Sequence, residues 1–386
     1  MRILAIALAL SAGSALAQVP TAEKAAAGIS TPVICMSSEQ NALAPAVLND
    51  TARFLAGMPL AAESSLAQLS APGHQAQANA AWTKLDTRQL SKVKAFANTE
   101  LVPLTGTGPL FYPFSGPDLL YAEALFPNAS AYLLTGLEPI GNVPDLHSFK
   151  PEELSASLAD LRKSLYAILA FSFFKTNDMR TDFRRNRFSG VLPVLLTFAA
   201  KSGFEVDGVR YFVLHPDGTR CAASETEIKV AKSPLLPGVE VRLRRPGESK
   251  GRTLTYVSTD IGDGGLAKTP QYAAMVRAYK PGVTFLKSAS FLMHKDYFSS
   301  IRSLILEVSP RVIEDDSGIP YRSFNLEQWQ PVFFGTYARP IPLFANFVQA
   351  DLLKAFKTYG SKPLAFGIGY RHGPQDSSIL MFERKP

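Results

Sequence analysis

Residues that could hold a ligand follow the predicted strands of this chain at the points where those strands end. The apolar segments 109–114, 131–137 and 253–259 predict strands, and the first leads through a tight turn into a helix over 119–126. In α/β folds, ligands bind at the carboxyl ends of the strands. The predicted ligand-binding residues are Ser115, Gly116, Asp118, Glu138 and Asp260.

Carboxylate and imidazole side chains near these strand ends could also move protons in a reaction. The candidate catalytic groups are Asp118, Glu138 and His294, because carboxylates and histidines are common general acids and bases. Structural roles compete with this hypothesis. Asp118 can cap the helix that follows it, which stabilises a helix by about 1 kcal/mol. Glu138 can equally accept hydrogen bonds from neighbouring loop amides, so both interpretations stay open.

A run of three acids at 314–316 follows another predicted strand. Neighbouring carboxylates can separate their pKa values and serve as acid and base, although a solvated turn is the favoured interpretation. His294 and His372 also lie beyond predicted strands. If these strand ends converge, the two histidines could line one cleft with Asp118 and Asp316; isolated surface histidines are the default.

The sequence lacks the motifs that identify common metal and nucleophile sites. No H-E-x-x-H or C-x-x-C pattern is present, and the one G-x-S-x-G match, at 247–251, lies in a turn between two predicted strands rather than between a strand and a helix, so it is no nucleophile elbow. The segment 259–265 holds two acids among three glycines and could bind a cation or a sugar hydroxyl. It lacks the spacing of a calcium loop, so a plain glycine-rich turn is favoured. No metal is expected, and the cofactor is unknown.

Cys35 and Cys221 are the only cysteines in the chain. In an oxidising compartment they could pair, and closing so long a loop would contribute on the order of 4–5 kcal/mol in the loop-entropy model. Two unpaired buried thiols are the alternative, because pairing requires a proximity that the sequence does not give.

The N-terminus has the three parts of a secretion signal. Arg2 provides the positive region, 3–10 the apolar region, and Ala15-Leu16-Ala17 a small-residue cleavage site. We expect cleavage after Ala17 and a periplasmic or secreted mature protein. The longest later apolar runs, 165–174 and 191–200, fall short of the roughly 20 residues that span a bilayer, so no transmembrane segment is expected.

Composition is that of a globular chain with a mild basic excess. The 386 residues carry a formal net charge of +7, and 46% are hydrophobic. The charge is spread out and the aromatics lie in apolar segments, so nucleic-acid binding is not expected. Basic clusters at 180–187 and 242–252 could contact phosphate-bearing envelope components, while a solvated hairpin face is the alternative for the second.

Strands alternate with helices along most of the chain, which predicts a mostly parallel sheet with helices on both faces. We expect a helical lead-in at 18–100 and an α/β domain at 101–386, with a β-rich insertion at 203–262. The chain is predicted to close with an antiparallel pair of strands at 364–370 and 378–383. Further helices are predicted at 41–55, 78–97, 151–174, 270–279, 297–308 and 343–359, and further strands at 209–214, 239–245, 283–288 and 311–314.

This order of elements resembles the class I methyltransferase version of the Rossmann-like fold. That fold opens with a strand, a glycine-containing turn, a helix and a second strand ending in an acid, and it closes with an antiparallel pair. The resemblance implies that Ser115, Gly116 and Asp118 occupy the cofactor turn. It places Glu138 at the ribose-binding acid and Asp260 at the end of the fourth strand.

The chain departs from that family at the turn itself. Pro113, Phe114 and Pro117 stand where the family usually carries further glycines, and S-adenosylmethionine is not expected outside the cytoplasm. The segments YPFSGPD and EDDSGIPYR also resemble a group of exported bacterial proteins, a resemblance that implies export but no chemistry.

Three functions follow as hypotheses. The first is an exported protein that binds a small molecule or an envelope component at the strand ends, with its methyltransferase-like frame reused without methyl transfer. The second is a periplasmic hydrolase or transferase that uses the strand-end carboxylates. The third is a non-catalytic envelope interaction protein. A concave site lined by Asp118, Glu138 and Asp260 favours the first two.

Overall fold

The computed structural model of this chain describes residue 35 and residues 43–106, 108–171, 188–371 and 373–386. Several expectations lie outside these residues and stay predictions. They are the signal peptide with its cleavage site, the end of the helix predicted to reach 174, the basic cluster at 180–187 and the position of His372.

One ten-stranded sheet runs through the described chain, so the mixed α/β class is confirmed. Its strands are β1 (Leu110–Tyr112), β2 (Ala131–Gly136), β3 (Glu205–Leu214), β4 (Arg220–Ala222), β5 (Leu236–Arg244), β6 (Arg252–Ser258), β7 (Val283–Leu286), β8 (Arg311–Glu314), β9 (Trp329–Gly335) and β10 (Ser378–Arg384). Their order in space is β4-β3-β5-β6-β2-β1-β7-β8-β10-β9.

The sheet is parallel in its centre and antiparallel at both ends. Strands β6, β2, β1, β7 and β8 pair in parallel. The β3–β4, β3–β5 and β5–β6 pairs at one end are antiparallel, as are the β8–β10 and β9–β10 pairs at the other. The prediction of a mostly parallel sheet therefore holds for the five central strands, while five of the nine strand pairs among the described residues, all at the ends, are antiparallel. The β5–β6 hairpin was expected, but the β-rich segment extends the same sheet and so adds antiparallel pairs.

Helices cover both faces of the sheet. They are α1 (Pro45–Leu55), α2 (His74–Leu85), α3 (Ser91–Phe96), α4 (Val102–Thr105), α5 (Leu119–Leu125), α6 (Pro151–Phe171), α7 (Leu192–Lys201), α8 (Glu225–Val230), α9 (Asp263–Lys268), α10 (Gln271–Tyr279), α11 (Ser299–Val308) and α12 (Ala350–Tyr359). Two π-turns join α2, α3 and α4 into one continuous helical run. The predicted domain division near residue 100 falls inside this run and stays a prediction.

Strand alternation divides the core into two layers. Leu110 and Tyr112 of β1 face a core shared with α1–α3 and α5–α8, while Phe111 faces a second core shared with α9–α12. Successive side chains of a strand point to opposite faces, so one strand supplies both cores. The central strands are apolar on both faces for this reason, as expected where helices cover a parallel sheet.

The predicted closing pair is half correct. β10 forms as expected, but residues 364–370 are not a strand, and the antiparallel partners of β10 are β8 and β9. The segment instead turns across the ends of the central strands at Gly369, whose φ is +67°. A Cβ on Gly369 would collide with the carboxylate of Asp315, so only glycine fits this close approach.

Strand β9 escaped prediction because Pro331 interrupts its apolar pattern. Proline cannot donate a ladder hydrogen bond, and it is confined largely to edge strands. β9 is the last strand of the sheet, with β10 as its ladder partner. The edge position explains how a strand can contain this residue.

A disulfide joins Cys35 to Cys221 of β4, with 5.2 Å between their Cα atoms. This pairing is compatible with folding in an oxidising compartment. Among the described helices, none combines the length and the apolar character needed to cross a membrane.

Candidate functional site

Five parallel strands end at one edge of the sheet, which we call the strand-end edge. Because β6, β2, β1, β7 and β8 run in the same direction, the loops after them lie side by side. Those loops are 259–262, 137–141, 113–118, 287–291 and 315–319. All five predicted ligand-binding residues therefore belong to three neighbouring loops of this edge.

The backbone of the strand-end edge is strained. Phe114, Ser288, Ser290 and Phe291 adopt φ values between +54° and +60°. Non-glycine residues rarely adopt this left-handed conformation, which costs about 1–3 kcal/mol each. Such strain persists where the surroundings fix it, and it concentrates at functional sites. Elsewhere in the described chain, only Lys280 shares this feature.

Asp118 is buried and bound on both oxygens. Its Oδ1 accepts a hydrogen bond from the backbone N–H of Tyr121 at 3.1 Å, which confirms the predicted helix cap. Its Oδ2 accepts from the hydroxyl of Tyr112 at 2.9 Å and lies 2.6 Å from Nζ of Lys287. The carboxylate thus ties the loop after β1 to the loop after β7.

Lys287 is a candidate functional residue that the sequence analysis did not identify. It is 3% exposed, and among the residues whose burial the structure describes no other lysine or arginine is as fully buried. Burial lowers the pKa of Lys287, while the carboxylates of Asp118 and Asp315 raise it in opposition. The ammonium also lies 3.6 Å from the ring centre of Tyr121. A lysine directly after the apolar run VTFL was the available signal.

Ser115 and Gly116 hold the turn against β2. The N–H groups of both residues donate to the carbonyl of Thr135, at 2.9 and 3.2 Å. The hydroxyl of Ser115 accepts a hydrogen bond from the N–H of Thr135 at 3.0 Å and donates one to the carbonyl of Gly116 at 3.0 Å. The polar groups of Ser115 and Gly116 therefore fix the geometry of the loop.

Glu138 lies over the glycine turn. Its carboxyl group is within 3.5–3.6 Å of where a Cβ on Gly116 would be, and a Cβ on Gly136 would collide with Oε2. The buried hydroxyl of Tyr256 donates to the carbonyl of Glu138 at 2.9 Å and lies 3.4 Å from Oε2. Burial, followed by the charge of Glu138, raises the pKa of Tyr256. The structure thus brings Gly116 and Glu138 together.

Asp260 stands apart from the other predicted residues. It is exposed, and its Oδ1 accepts from the N–H of Gly262 at 2.8 Å. Its loop adjoins β2, since Thr259 donates to the carbonyl of Gly136 at 3.0 Å. Asp260 makes no side-chain hydrogen bond to Asp118 or Glu138 in the part of the chain that the structure describes. It lies at the same edge but forms a local turn.

The three acids at 314–316 are buried, so the predicted solvated turn is wrong. Glu314, Asp315 and Asp316 are 1%, 2% and 8% exposed. Asp315 accepts from the N–H and hydroxyl of Ser317 at 2.9 and 2.6 Å, and from the N–H of Ser288 at 2.8 Å. Segment 368–371 passes close over this loop at Gly369, which explains the burial.

The pKa values of these acids all rise. Burial raises the pKa of Glu314 and of Asp315, although hydrogen bonds from Ser317 and Ser288 oppose the rise in Asp315. Burial and the neighbouring charge of Asp315 raise the pKa of Asp316 to about 7, against the opposing influence of Arg371. Asp316 can therefore gain or lose a proton near neutral pH.

His294 lies beside the acidic loop as a neutral imidazole. Burial, with the nearby charges of Arg322 and Arg302, lowers its pKa to about 4. Its ring packs against Phe291 and Phe347 at centroid distances of 5.1 and 5.7 Å. Within the described residues, Nε2 of His294 has no hydrogen-bond partner, and the same holds for Oε1 of the buried Glu314.

The strand-end edge therefore gathers Asp118, Glu138, Glu314, Asp315 and Asp316, five carboxylates that are all at most 8% exposed. Among the described residues, no group of three or more histidine, cysteine, aspartate and glutamate side chains has the arrangement of a metal site. Comparison with known proteins finds no protein-family model and no curated protein that matches this chain.

Proposed function

We propose that this protein is an exported binding protein that holds a small organic molecule or an envelope component at the strand-end edge. The ligand class is one that donates hydrogen bonds, such as a polyol or an amine, because the edge offers mainly carboxylate acceptors. The frame is methyltransferase-like and is reused without methyl transfer.

The concentration of buried carboxylates is the observation that carries this proposal. Burying a carboxylate is costly unless it is paired, hydrogen-bonded or protonated. Five such groups share one edge, with Lys287 as the buried ammonium that pairs with Asp118. Burial raises the pKa of three of these carboxyl groups, Glu314, Asp315 and Asp316. Groups with shifted pKa values concentrate at functional sites, and a donor-rich ligand would offset part of the desolvation of the buried carboxylates.

The order of the central strands supports a methyltransferase-like frame. The five parallel strands begin with a strand, a turn at Gly116, a helix and a second strand followed by Glu138. At the far end, antiparallel β10 lies between β8 and β9. Pro113, Phe114 and Pro117 around the turn argue against a nucleotide-type ligand there, because glycines at such a turn let the backbone approach a cofactor closely.

Native mass spectrometry of the mature protein, purified gently from the organism that makes it, tests the proposal. We expect a retained small molecule that Glu138→Gln releases and the control Glu63→Gln does not. Glu63 is exposed and remote from the edge in sequence. The exchange to glutamine keeps the volume and removes the charge, so a folded variant without ligand assigns the site.

Two results would overturn the proposal. One is a wild-type protein that carries no small molecule. The other is a molecule retained equally by the Glu138→Gln and Glu63→Gln variants. The first result would favour the envelope interaction hypothesis, and the second would move the site elsewhere on the molecule.

A second candidate function, a hydrolase or transferase, rests on Asp316. A carboxyl with a pKa of about 7 can act as a general acid or base at neutral pH. Asp118 fits this role less well, because Tyr121, Tyr112 and Lys287 already engage both of its oxygens. If the retained molecule is turned over, the rate should follow an ionisation near pH 7 that Asp316→Asn removes, and a pH-independent rate would exclude this role.

A further inference from the structure

The segment 337–349, which we call the apolar loop, follows β9 and is closed by a bond between its own ends. The N–H of Gln349 donates to the hydroxyl of Tyr337 at 3.0 Å. The side chain of Gln349 joins this end to the loop after β8: its Oε1 accepts from the N–H of Tyr321 at 2.8 Å, and its Nε2 donates to the carbonyl of Asp316 at 3.2 Å. Compact surface loops whose ends meet are frequently functional.

The apolar loop exposes large apolar side chains to solvent. Leu343 is 78% exposed and Val348 is 48% exposed, and among the residues whose burial the structure describes no large apolar residue is more exposed than Leu343. Ile341, Phe344 and Phe347 are half-buried beside them. A single exposed leucine is ordinary, but five apolar side chains within the segment 341–348 favour a contact surface for a protein or a membrane.

Aromatic packing holds the apolar loop in place. The ring of Phe347 stacks on the ring of Phe291, with 5.1 Å between centroids and 13° between planes. Phe344 packs against Phe291 at 5.1 Å and against Tyr370 at 4.9 Å. Phe291 is itself buried. The exposed side chains therefore stand on a fixed base, so little conformational entropy is lost when a partner covers them.

Four basic residues adjoin the apolar loop. Nζ of Lys295 lies 4.7 Å from the ring centre of Phe347. The guanidinium of Arg371 donates to the carbonyl of Arg339, which lies near the start of the loop. Arg322 adjoins the other end, because the residue before it donates its N–H to the last residue of the loop. Positive charge therefore flanks the loop at both ends and along its aromatic side.

A histidine shows that two of these cations lie close together. The ring of His294 packs against Phe347 with 5.7 Å between centroids. Burial contributes most to the lowered pKa of His294, followed by nearby positive charges that include those of Arg322 and Lys295. Both cations therefore lie near His294, on the side of the loop where Phe347 packs.

Carboxylates do not neutralise this positive charge. The apolar loop contains no acidic residue. In the part of the chain that the structure describes, the basic residues 295, 322 and 339 form no ion pair. Asp351 follows the loop and Asp296 follows Lys295, both exposed, so the four basic residues outnumber these two acids. An anionic partner would complement the surface.

We propose that the apolar loop docks this protein onto the surface of an anionic lipid bilayer, with Leu343 and Val348 among the acyl chains and the flanking cations at the headgroup phosphates. Apolar side chains at the acyl boundary and basic groups at anionic headgroups are the two parts of interfacial membrane binding. Because Phe291 belongs to the loop after β7, docking places the strand-end edge beside the lipid surface. The proposal does not depend on a ligand at that edge.

Co-sedimentation of the full mature chain with lipid vesicles tests this inference. We expect binding to vesicles of phosphatidylglycerol and phosphatidylcholine in equal parts, and at least about tenfold weaker binding to phosphatidylcholine alone. Leu343→Asp should weaken binding to the anionic vesicles about tenfold or more, because it removes the apolar contact and adds a repelled charge. Circular dichroism checks the fold, which an exposed position should not disturb.

Matched controls distinguish this surface from a general effect of charge. Val230→Asp makes the same kind of change at an exposed residue of α8, near the other end of the sheet, and should leave binding within about twofold. Lys295→Gln should weaken binding about fivefold. Lys250→Gln, in the exposed turn between β5 and β6, should have a smaller effect.

Three results would overturn the proposal. The first is no binding to the anionic vesicles, and the second is an equal loss in Leu343→Asp and Val230→Asp. Equal binding to both kinds of vesicle would overturn the role of the cations. Glu138→Gln should leave vesicle binding unchanged, even where it releases a small molecule, so this proposal and the strand-end site fail separately.

Discussion

The strand-end edge and the contact between α2 and α7 hold their lysines in opposite ways. At the edge, the buried Lys287 lies 2.6 Å from a carboxylate oxygen of Asp118. Between α2 and α7, Lys201 lies 2.9 Å from the amide oxygen of Asn79, a neutral partner. The first lysine is part of a compensated network, while the second is half-buried beside a neutral amide.

This difference predicts how much each lysine contributes to stability. A paired buried charge is required by the fold, because removing one partner leaves the other uncompensated. A half-buried cation beside a neutral amide contributes less. Replacing Lys287 should therefore cost far more stability than replacing Lys201.

The largest effect is expected from breaking the pair at the edge. Lys287→Met should destabilise the protein by about 3–5 kcal/mol, because it leaves Asp118 buried without its counter-ion. Urea unfolding followed by circular dichroism measures this change. Adding Asp118→Asn to Lys287→Met should restore part of the loss, since the neutral amide needs no counter-ion. Additive losses in the double variant would show that the two side chains do not act as a pair.

The sequence predicted the central layers well because their patterns are local. The strand, turn and helix around Gly116, the acid after β2 and the hairpin of β5 and β6 all follow from apolar runs and turn residues. β9 did not follow, since Pro331 breaks its pattern and only its place at the edge of the sheet permits it. The segment 364–370 has strand-like composition, yet Gly369 turns it across Asp315.

The sites were harder to predict than the fold because their partners are distant in sequence. The residues near Asp118 in the sequence do not predict its contact with Lys287. The two side chains meet only because β1 and β7 are neighbours in the sheet. The burial of Asp316 likewise depends on a remote segment. The contact of His74 in α2 with Arg162 in α6 also joins residues far apart in sequence, and helix packing brings them together.

An intermediate effect is expected from the acid with the raised pKa. Asp316 has a pKa of about 7 in the folded protein, above the value of about 3.9 in an unfolded chain. The folded state therefore holds more protons between these values, and stability falls as pH rises from about 4 to about 7. Asp316→Asn should be more stable than wild type by about 2 kcal/mol at pH 8, after loss of its attraction to Arg371.

Thermal unfolding at pH 4, 6 and 8 measures the dependence on Asp316. The advantage of the Asn variant should shrink to a few tenths of a kcal/mol at pH 4, about the unfolded pKa of 3.9, where the carboxyl is protonated in the folded state and about half protonated in the unfolded chain. The control Glu63→Gln, at an exposed position, should follow the wild-type curve. If the stability of the Asn variant differs from that of wild type by the same amount at all three pH values, Asp316 does not titrate in this range.

The smallest effect is expected at Lys201, and its sign is opposite to that of Lys287→Met. Burial lowers the pKa of Lys201, so the unfolded chain binds this proton more strongly and stability rises with pH up to about 10. At pH 7, Lys201→Met should stabilise the protein by under about 1 kcal/mol, because the site is half-exposed and screened. Urea unfolding at pH 7 and 10 should show this gain shrinking, with Lys84→Met unchanged throughout. A loss of several kcal/mol at pH 7 would mean that Lys201, like Lys287, is held by a buried counter-ion, and the contrast between the two regions would fail.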